Sequence, residues 1–167
     1  MTDDARALAE RLRDRFPDLQ VARGEVTVIV DPEEVVAALT WLRDEPGMEF
    51  RWLADLSATD WPGYEPRFWI AYHLFSMEHG HRVRVKAGLG PVEPRIATVS
   101  GVFPTANWLE REVYDMYGVA FDGHPDLRRI LMPDDWDGHP LRKDYSLGGV
   151  GTQYKGAFIP PVDERSV

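Results

Sequence analysis

The sequence predicts an α+β fold: a mixed or antiparallel sheet with helices packed on it, followed by an extended C-terminal tail. Two observations carry that expectation. Apolar residues recur at helical spacing in three separate windows, and between them fall β-branched and aromatic runs bounded by Gly and Pro. A third observation sets a boundary: residues 146–167 hold Gly148, Gly149, Gly151, Gly156, Pro160 and Pro161 with neither period. Residues 1–145 are therefore expected to form a single α+β domain, and 146–167 the tail.

The first helix is read over 3–16, where Ala5, Leu8, Leu12 and Phe16 share a face. Asp3 and Asp4 suit its start, Arg11, Arg13 and Arg15 suit its end, and Pro17 stops it. Residues 19–30 read as a strand pair turning at Arg23-Gly24-Glu25. Asp31, Pro32 and Glu34 then form a capping-box pattern, opening a second helix that carries Val35, Val36, Leu39 and Leu42 and closes at Pro46-Gly47. Three strands follow at 50–57, 67–76 and 82–87, joined as a meander. The middle one has large apolar residues on both phases and is expected to be central and covered on two sides. Its neighbour alternates Val83, Val85 and Ala87 with Arg82, Arg84 and Lys86, the pattern of a strand with one wet face. A third helix is read over 108–118, with Asn107 as its cap and Glu110 at the matching box position.

Composition removes several function classes. A chain of 167 residues buries about 70% of its unfolded surface, enough for one ordinary core. Its 19 basic and 28 acidic residues leave a formal charge of −9, so a phosphate backbone is repelled and no nucleic acid is expected as partner. With no cysteine there is no disulfide, thiolate metal site, cysteine nucleophile or protein-held iron-sulfur cluster. The acidic start lacks the pattern of a leader, so the mature chain is expected to begin at Met1. No apolar run has the length needed for direct membrane insertion.

The chemistry-bearing candidates are few. On the third helix Leu109, Val113, Met116 and Tyr117 share a face, and Arg111, Glu112 and Asp115 lie opposite. Glu112 and Asp115, three residues apart, have the spacing of an acid/base pair. The plainer alternative is a solvated face with an Arg111–Asp115 ion pair. Of five histidines, only His79 and His81 have a spacing that suits one metal, and no third ligand is indicated. His73 alternates into a strand; His124 and His139 each stand between a glycine and a proline, which is turn chemistry. Phosphate-binding, dinucleotide and nucleophile-elbow motifs are absent. No catalytic, cofactor-binding or metal residue is therefore expected. The densest polar stretch, 124–145, interleaves Arg128, Arg129, Arg142 and Lys143 with Asp126, Asp134, Asp135, Asp137 and Asp144. Leu127, Ile130, Leu131, Met132 and Leu141 fall among those charges. A buried ion-pair network, within the chain or across an interface, accounts for both features. The tail reads either as a frayed terminus or as an arm anchored on a partner by Tyr154, Phe158 and Ile159.

These residues carry a resemblance. The run Glu110-Arg111-Glu112-Val113-Tyr114-Asp115-Met116-Tyr117-Gly118 continues through Phe121 and Gly123-His124-Pro125-Asp126-Leu127-Arg128-Arg129-Ile130-Leu131. It closes with Gly138-His139-Pro140-Leu141-Arg142-Lys143-Asp144-Tyr145. This signature region, 104–147, resembles a hydrophilic peripheral-arm subunit family of NADH-quinone oxidoreductase, respiratory complex I: the subunit designated C. Ser146 departs from the pattern, since many relatives have proline there.

The resemblance implies a hydrophilic, structural subunit of the peripheral arm, peripheral to the cell membrane on its cytoplasmic side and without catalysis of its own. The parent enzyme oxidises NADH, reduces quinone and couples this to ion translocation. The cofactors, FMN, iron-sulfur clusters and quinone, are expected on partner subunits, and none in this chain. The partners implied are the quinone-site subunit and the iron-sulfur subunits, in a hetero-oligomer. The signature residues Glu110, Arg111, Glu112, Asp115, Gly118, His124, Pro125, Arg128, Arg129, His139, Pro140, Arg142, Lys143, Asp144 and Tyr145 are expected to fix internal geometry and docking. Two alternatives stand beside this: a homologous subunit of a membrane-bound hydrogenase or other quinone-linked complex, and a stand-alone acid/base enzyme using Glu112 and Asp115.

Overall fold

Alternation along the strands sorts the main sheet into one dry face and one open face. The computed structural model describes residues 3–145 and, by backbone alone, a short antiparallel pair of Gln153–Tyr154 with Ala157–Phe158. The anchor role expected for Tyr154, Phe158 and Ile159 lies outside the described residues. The elements are α1 (Asp3–Leu12), β1 (Leu19–Ala22), β2 (Glu25–Val30), α2 (Val35–Asp44), β3 (Trp52–Asp60), β4 (Phe68–Ser76), β5 (His81–Leu89), β6 (Arg95–Ala97), α3 (Ala106–Tyr117) and β7 (Ala120–Asp122). The sheet order is β1-β2-β5-β4-β3, antiparallel throughout except for the parallel β2–β5 pair. The fold is α+β with a mixed sheet, and β3-β4-β5 is the expected meander.

On the dry face Val26 and Val28, Phe68, Ile70 and Tyr72, and Val83 and Val85 join one core with Leu8 and Leu12 of α1 and Leu39 and Leu42 of α2. Each such leucine, fully buried, contributes about 1.5–3 kcal/mol, so the amphipathic stripes seat the helices on the sheet. A register shift between Leu53 and Asp55 sends both Leu53 and Leu56 inward although they are an odd number of positions, three, apart.

Several local expectations change. Trp69, Ala71, His73 and Phe75 are half-exposed, so β4 is central but covered on one side only. The wet face of β5 extends across the neighbouring strands. Asp31 makes no side-chain cap; Pro32–Glu34 form one turn of 3-10 helix, closed by the Glu34 N–H to the Asp31 carbonyl, before α2 starts at Val35. The periodic window 3–16 overruns α1, which ends at Leu12; Phe16 still reaches the core and meets Trp41 edge-on, 5.6 Å between ring centres. α3 begins at Ala106, so Asn107 lies inside it, and Glu110 serves a different purpose. Two short strands escape the sequence pattern, β6 and β7, which pair in parallel with α3 as the crossover between them. Among the described residues, no helix is long and apolar enough to cross a membrane.

Candidate functional site

α3 is buried on more of its circumference than its apolar stripe requires. Ala106, Val113 and Met116 are buried, and so are Glu110, Arg111 and Asp115. Arg111 and Asp115 are covered because the 124–145 stretch, which has little periodic structure, lies against them and bonds to them; Glu110 is bonded instead to Thr98 and Val99, before the helix.

Asp115 is the hub. Its side chain is fully buried, with one carboxylate oxygen 2.7 Å from Arg129 Nη1. The other oxygen accepts three successive backbone N–H groups, from Ile130 (3.0 Å), Leu131 (2.8 Å) and Met132 (2.8 Å). Burial pushes this carboxyl up. The Met132 amide, the Arg129 guanidinium and the Leu131 and Ile130 amides outweigh burial and hold it below the usual carboxylate range. Arg129 also donates to the Gly138 carbonyl at 3.0 Å. Arg111 does not pair with Asp115: its Nε and Nη2 donate to the Arg128 and Arg129 carbonyls, each at 3.1 Å, and its guanidinium lies 5.0 Å from the Trp108 ring centre. Two arginines and one aspartate thus satisfy the backbone of an irregular loop, work that a sheet ladder does elsewhere.

The end of α3 carries a second clasp. Gly118 ends the helix in the left-handed region at φ 74°. A Cβ there would lie 2.6 Å from the His139 ring, which packs edge-on to Tyr114. His139 Nδ1–H donates to the Asp115 carbonyl at 2.9 Å, and the Leu141 N–H donates to the Met116 carbonyl at 3.0 Å. Pro140, between them, is half-buried.

A third clasp ties the loop to the main sheet. Asp60, buried at the end of β3, accepts from Arg67 at 2.7 and 2.9 Å and from the Lys143 N–H at 2.8 Å. The Arg67 bond, against burial and helped by the Lys143 amide, lowers the Asp60 pKa. Arg67 also meets Asp144 at 2.9 Å, and Arg142 meets the same carboxylate at 3.1 Å. Arg142, against burial and aided by Arg67, holds Asp144 well below the usual range. The guanidiniums of Arg67 and Arg142 lie 4.8 and 5.1 Å from the Phe68 ring centre. The Tyr145 hydroxyl donates to the Asp137 carbonyl at 3.2 Å, and among the described residues Arg128 pairs only with nearby Asp126.

Glu110 and His124 occupy the opposite side of α3. Glu110 accepts the Val99 N–H at 2.7 Å and the Thr98 hydroxyl at 2.5 Å, so it caps the chain before α3 and not the helix itself. Burial raises its pKa against the Thr98, Val99 and His124 contributions. Tyr72, fully buried nearby with no hydrogen-bond partner for its hydroxyl among the described residues, is likewise raised by burial and by the Glu110 charge. His124 Nε2–H donates to the Asn107 carbonyl at 3.0 Å and Nδ1 faces the Asp126 N–H at 3.0 Å.

The predicted residues therefore converge, with two exceptions. Glu112 and Pro125 are exposed, and neither enters a described hydrogen bond. Asp115 faces inward and is already fully engaged, which removes the Glu112–Asp115 acid/base pair and the solvated-face reading together. Asp60, Arg67 and Thr98 join the network without having been expected there. Alternation in β3 is the available signal for Asp60, since Leu56, Ala58 and Asp60 share the inward phase and a buried carboxylate requires a partner. Sequence spacing offers His79 no third metal ligand, yet the fold brings Glu49 and Glu78 to it, with donor atoms within 4.8 Å of one another. Glu78 is paired with Arg51 there, and His79 Nε2 lies 2.6 Å from Glu49.

Fold and site together define an α+β domain: a helix-backed sheet tied by hydrogen bonds to an irregular loop on which Ile130, Leu131 and Leu141 remain exposed. Comparisons with known proteins identify the family. The family model described as "Respiratory-chain NADH dehydrogenase, 30 Kd subunit" matches residues 28–150. A protein of Saccharopolyspora erythraea, named as the NADH-quinone oxidoreductase subunit designated C, is 49% identical over 146 residues, covering 87% of this chain and 59% of its own length. A Geotalea uraniireducens protein of the same name is 47% identical over 161 residues, covering 93% of this chain and 96% of its own. The chain thus spans less than two thirds of the first relative and nearly all of the second.

Among solved structures, the trypsin-resistant fragment (1-134) of Nqo5 aligns with TM-score 0.62 and 32% identity over 73% of this chain and 97% of the fragment. A chain of an archaeal membrane-bound sulfane sulfur reductase shares the fold, with TM-score 0.77 at 24% identity over 98% of this chain and 100% of its own. The chain belongs to the respiratory-chain NADH dehydrogenase 30 Kd subunit family.

Proposed function

We propose that this chain is a structural subunit of the peripheral arm of an NADH-quinone oxidoreductase, and that it supports electron transfer from NADH to quinone without binding FMN, iron-sulfur clusters or quinone itself. The names of the relatives and the family match support this reading. One structural observation carries the docking role. The Arg128, Arg129 and Gly138 carbonyls and the Ile130, Leu131 and Met132 N–H groups are turned inward and satisfied by Arg111, Asp115 and Arg129, while Leu131, 59% exposed, and Leu141, 48% exposed, remain at the surface. A loop held this firmly that displays apolar side chains has the properties of an interface before its partner arrives.

In this reading residues 1–145 are one domain and the quinone-site and iron-sulfur subunits are the partners. The complex stands on the cytoplasmic side of the membrane, with coupled ion translocation belonging to other chains. Of the signature residues, Glu110, Arg111, Asp115, Gly118, His124, Arg129, His139, Pro140, Asp144 and Tyr145 set the loop's shape. Glu112, Pro125, Arg128, Arg142 and Lys143 offer side chains at its rim.

The test is assembly in the native host. Leu131→Asp combined with Arg128→Glu is expected to cut recovery of the intact complex, and membrane NADH:quinone activity with it, by at least about tenfold, the effect of losing some 1.4 kcal/mol of binding. Full recovery of assembled, active complex from that variant overturns the proposal.

A further inference from the structure

The open face of the main sheet is organised in rows. Register places Trp52, Phe75 and Arg82 side by side across β3, β4 and β5; the next row holds Asp55, His73, Arg84 and Thr27, and the next Ser57, Ala71, Lys86 and Ile29. In the middle row Arg84 pairs with Glu25 at 2.7 Å and lies beside His73, whose pKa is lowered by burial and by Arg84, which leaves Asp55 as the row's remaining charge. The flanking rows are different. Arg82 lies 5.5 Å from the Phe75 ring centre and Lys86 lies 4.4 Å from that of Trp69, and neither has a carboxylate partner among the described residues. Along the first two rows runs a groove of about 280 Å³ bordered by Trp52, His73, Phe75, Arg82 and the Arg84–Glu25 pair, with Trp52 55% exposed.

We propose that this face is a docking surface for an extended acidic segment of a partner polypeptide. The surface is separate from the clamped loop and does not depend on the function assigned to it. Charge complementarity selects the occupant. In a chain of net charge −9 this face presents two cations without a carboxylate partner among the described residues, each lying against an aromatic ring. Arg82 and Lys86 are four residues apart on one strand, about 13 Å, which is also the separation of two same-side side chains four residues apart in an extended ligand. Carboxylates at those two positions would meet both cations, and an apolar side chain beside them would fill the groove. A uniformly anionic lipid surface fits less well, because it is repelled by the rest of the molecule.

The experiment uses the full chain and a fluorescein-labelled oligoglutamate, read by fluorescence anisotropy, with phosphatidylglycerol vesicles as a second probe. Saturable, salt-sensitive oligoglutamate binding is expected, weakened at least about tenfold by Arg82→Glu with Lys86→Glu. Arg82→Gln with Lys86→Gln, a milder pair, is expected to weaken it by a smaller factor with an unchanged unfolding midpoint. Arg6→Glu with Arg13→Glu, exposed on and just after α1, makes the same change in net charge and is expected to leave most of the affinity. Four results would each overturn the proposal: no saturable binding; equal weakening by the Arg6/Arg13 pair; vesicle binding alone that the Arg82/Lys86 reversal abolishes; or a tenfold rise in affinity on Asp163→Asn with Glu164→Gln, which would make the chain's own tail the occupant.

Discussion

Arg129 reaches the buried carboxylate of Asp115 at 2.7 Å, and the oxygen it leaves free takes the backbone amides of the three residues that follow Arg129. One helix side chain thereby sets the direction of an entire loop segment. The arginine supplies the countercharge, and the amides supply the remaining donors that a buried carboxylate requires.

Removing either partner should therefore leave an uncompensated buried group. Arg129→Ala and Asp115→Ala are each expected to cost about 3–5 kcal/mol in urea unfolding, with the double variant costing less than their sum. The folded-state pKa of Asp115 lies below its unfolded value near 3.9. Its stabilisation is therefore present above that pH and is lost as pH falls through the folded value. Acid unfolding should be shallower in Asp115→Asn than in the wild type, and identical slopes would contradict the assignment.

Glu110 should behave with the opposite sign. Its folded pKa is raised, so its contribution is fully present below the unfolded value near 4.3 and is lost as pH rises through the folded one. Glu110→Gln keeps an oxygen for the Val99 N–H and removes the ionisation. Unfolding free energies measured from pH 4 to pH 8 should shift in favour of the variant as pH rises, and a constant difference between the two proteins would show that Glu110 keeps an ordinary pKa.

Gly118 combines a left-handed backbone with a close neighbour. A methyl group there meets both the αL penalty, about 1–2 kcal/mol, and the His139 ring. Gly118→Ala is expected to lower stability by at least about 1 kcal/mol. Gly118→Ala with His139→Ala should recover none of the backbone part, and thermal unfolding of the two variants beside His139→Ala separates the terms.

Much of the scaffold is legible in the sequence because its causes are local. The stripes of α1 and α2, the turn at Gly24 and the alternation of Val83, Val85 and Ala87 are set by residues within a few positions of one another. The polar face of α3 departs from its pattern for the complementary reason. A helical wheel distinguishes polar from apolar and so gives Arg111 and Asp115 to solvent, whereas a loop more than ten residues downstream covers them. The two-sided cover expected for β4 fails similarly: Trp69 and Phe75 are apolar, but what lies over them are the cationic chains of Lys86 and Arg82.

By itself, then, the chain of residues determined the α+β class, the position of its helices, the lack of thiol chemistry and, through the run from Glu110 to Tyr145, the family. Tertiary structure decided which charges meet. Asp60 and the Lys143 amide are 83 positions apart, and Arg67 must choose among several carboxylates of equal formal charge. Coulomb attraction does not depend on sequence separation, so only the packed sheet and the loop tied to it, by bringing Asp60 and Asp144 to Arg67 and burying the first, make that choice.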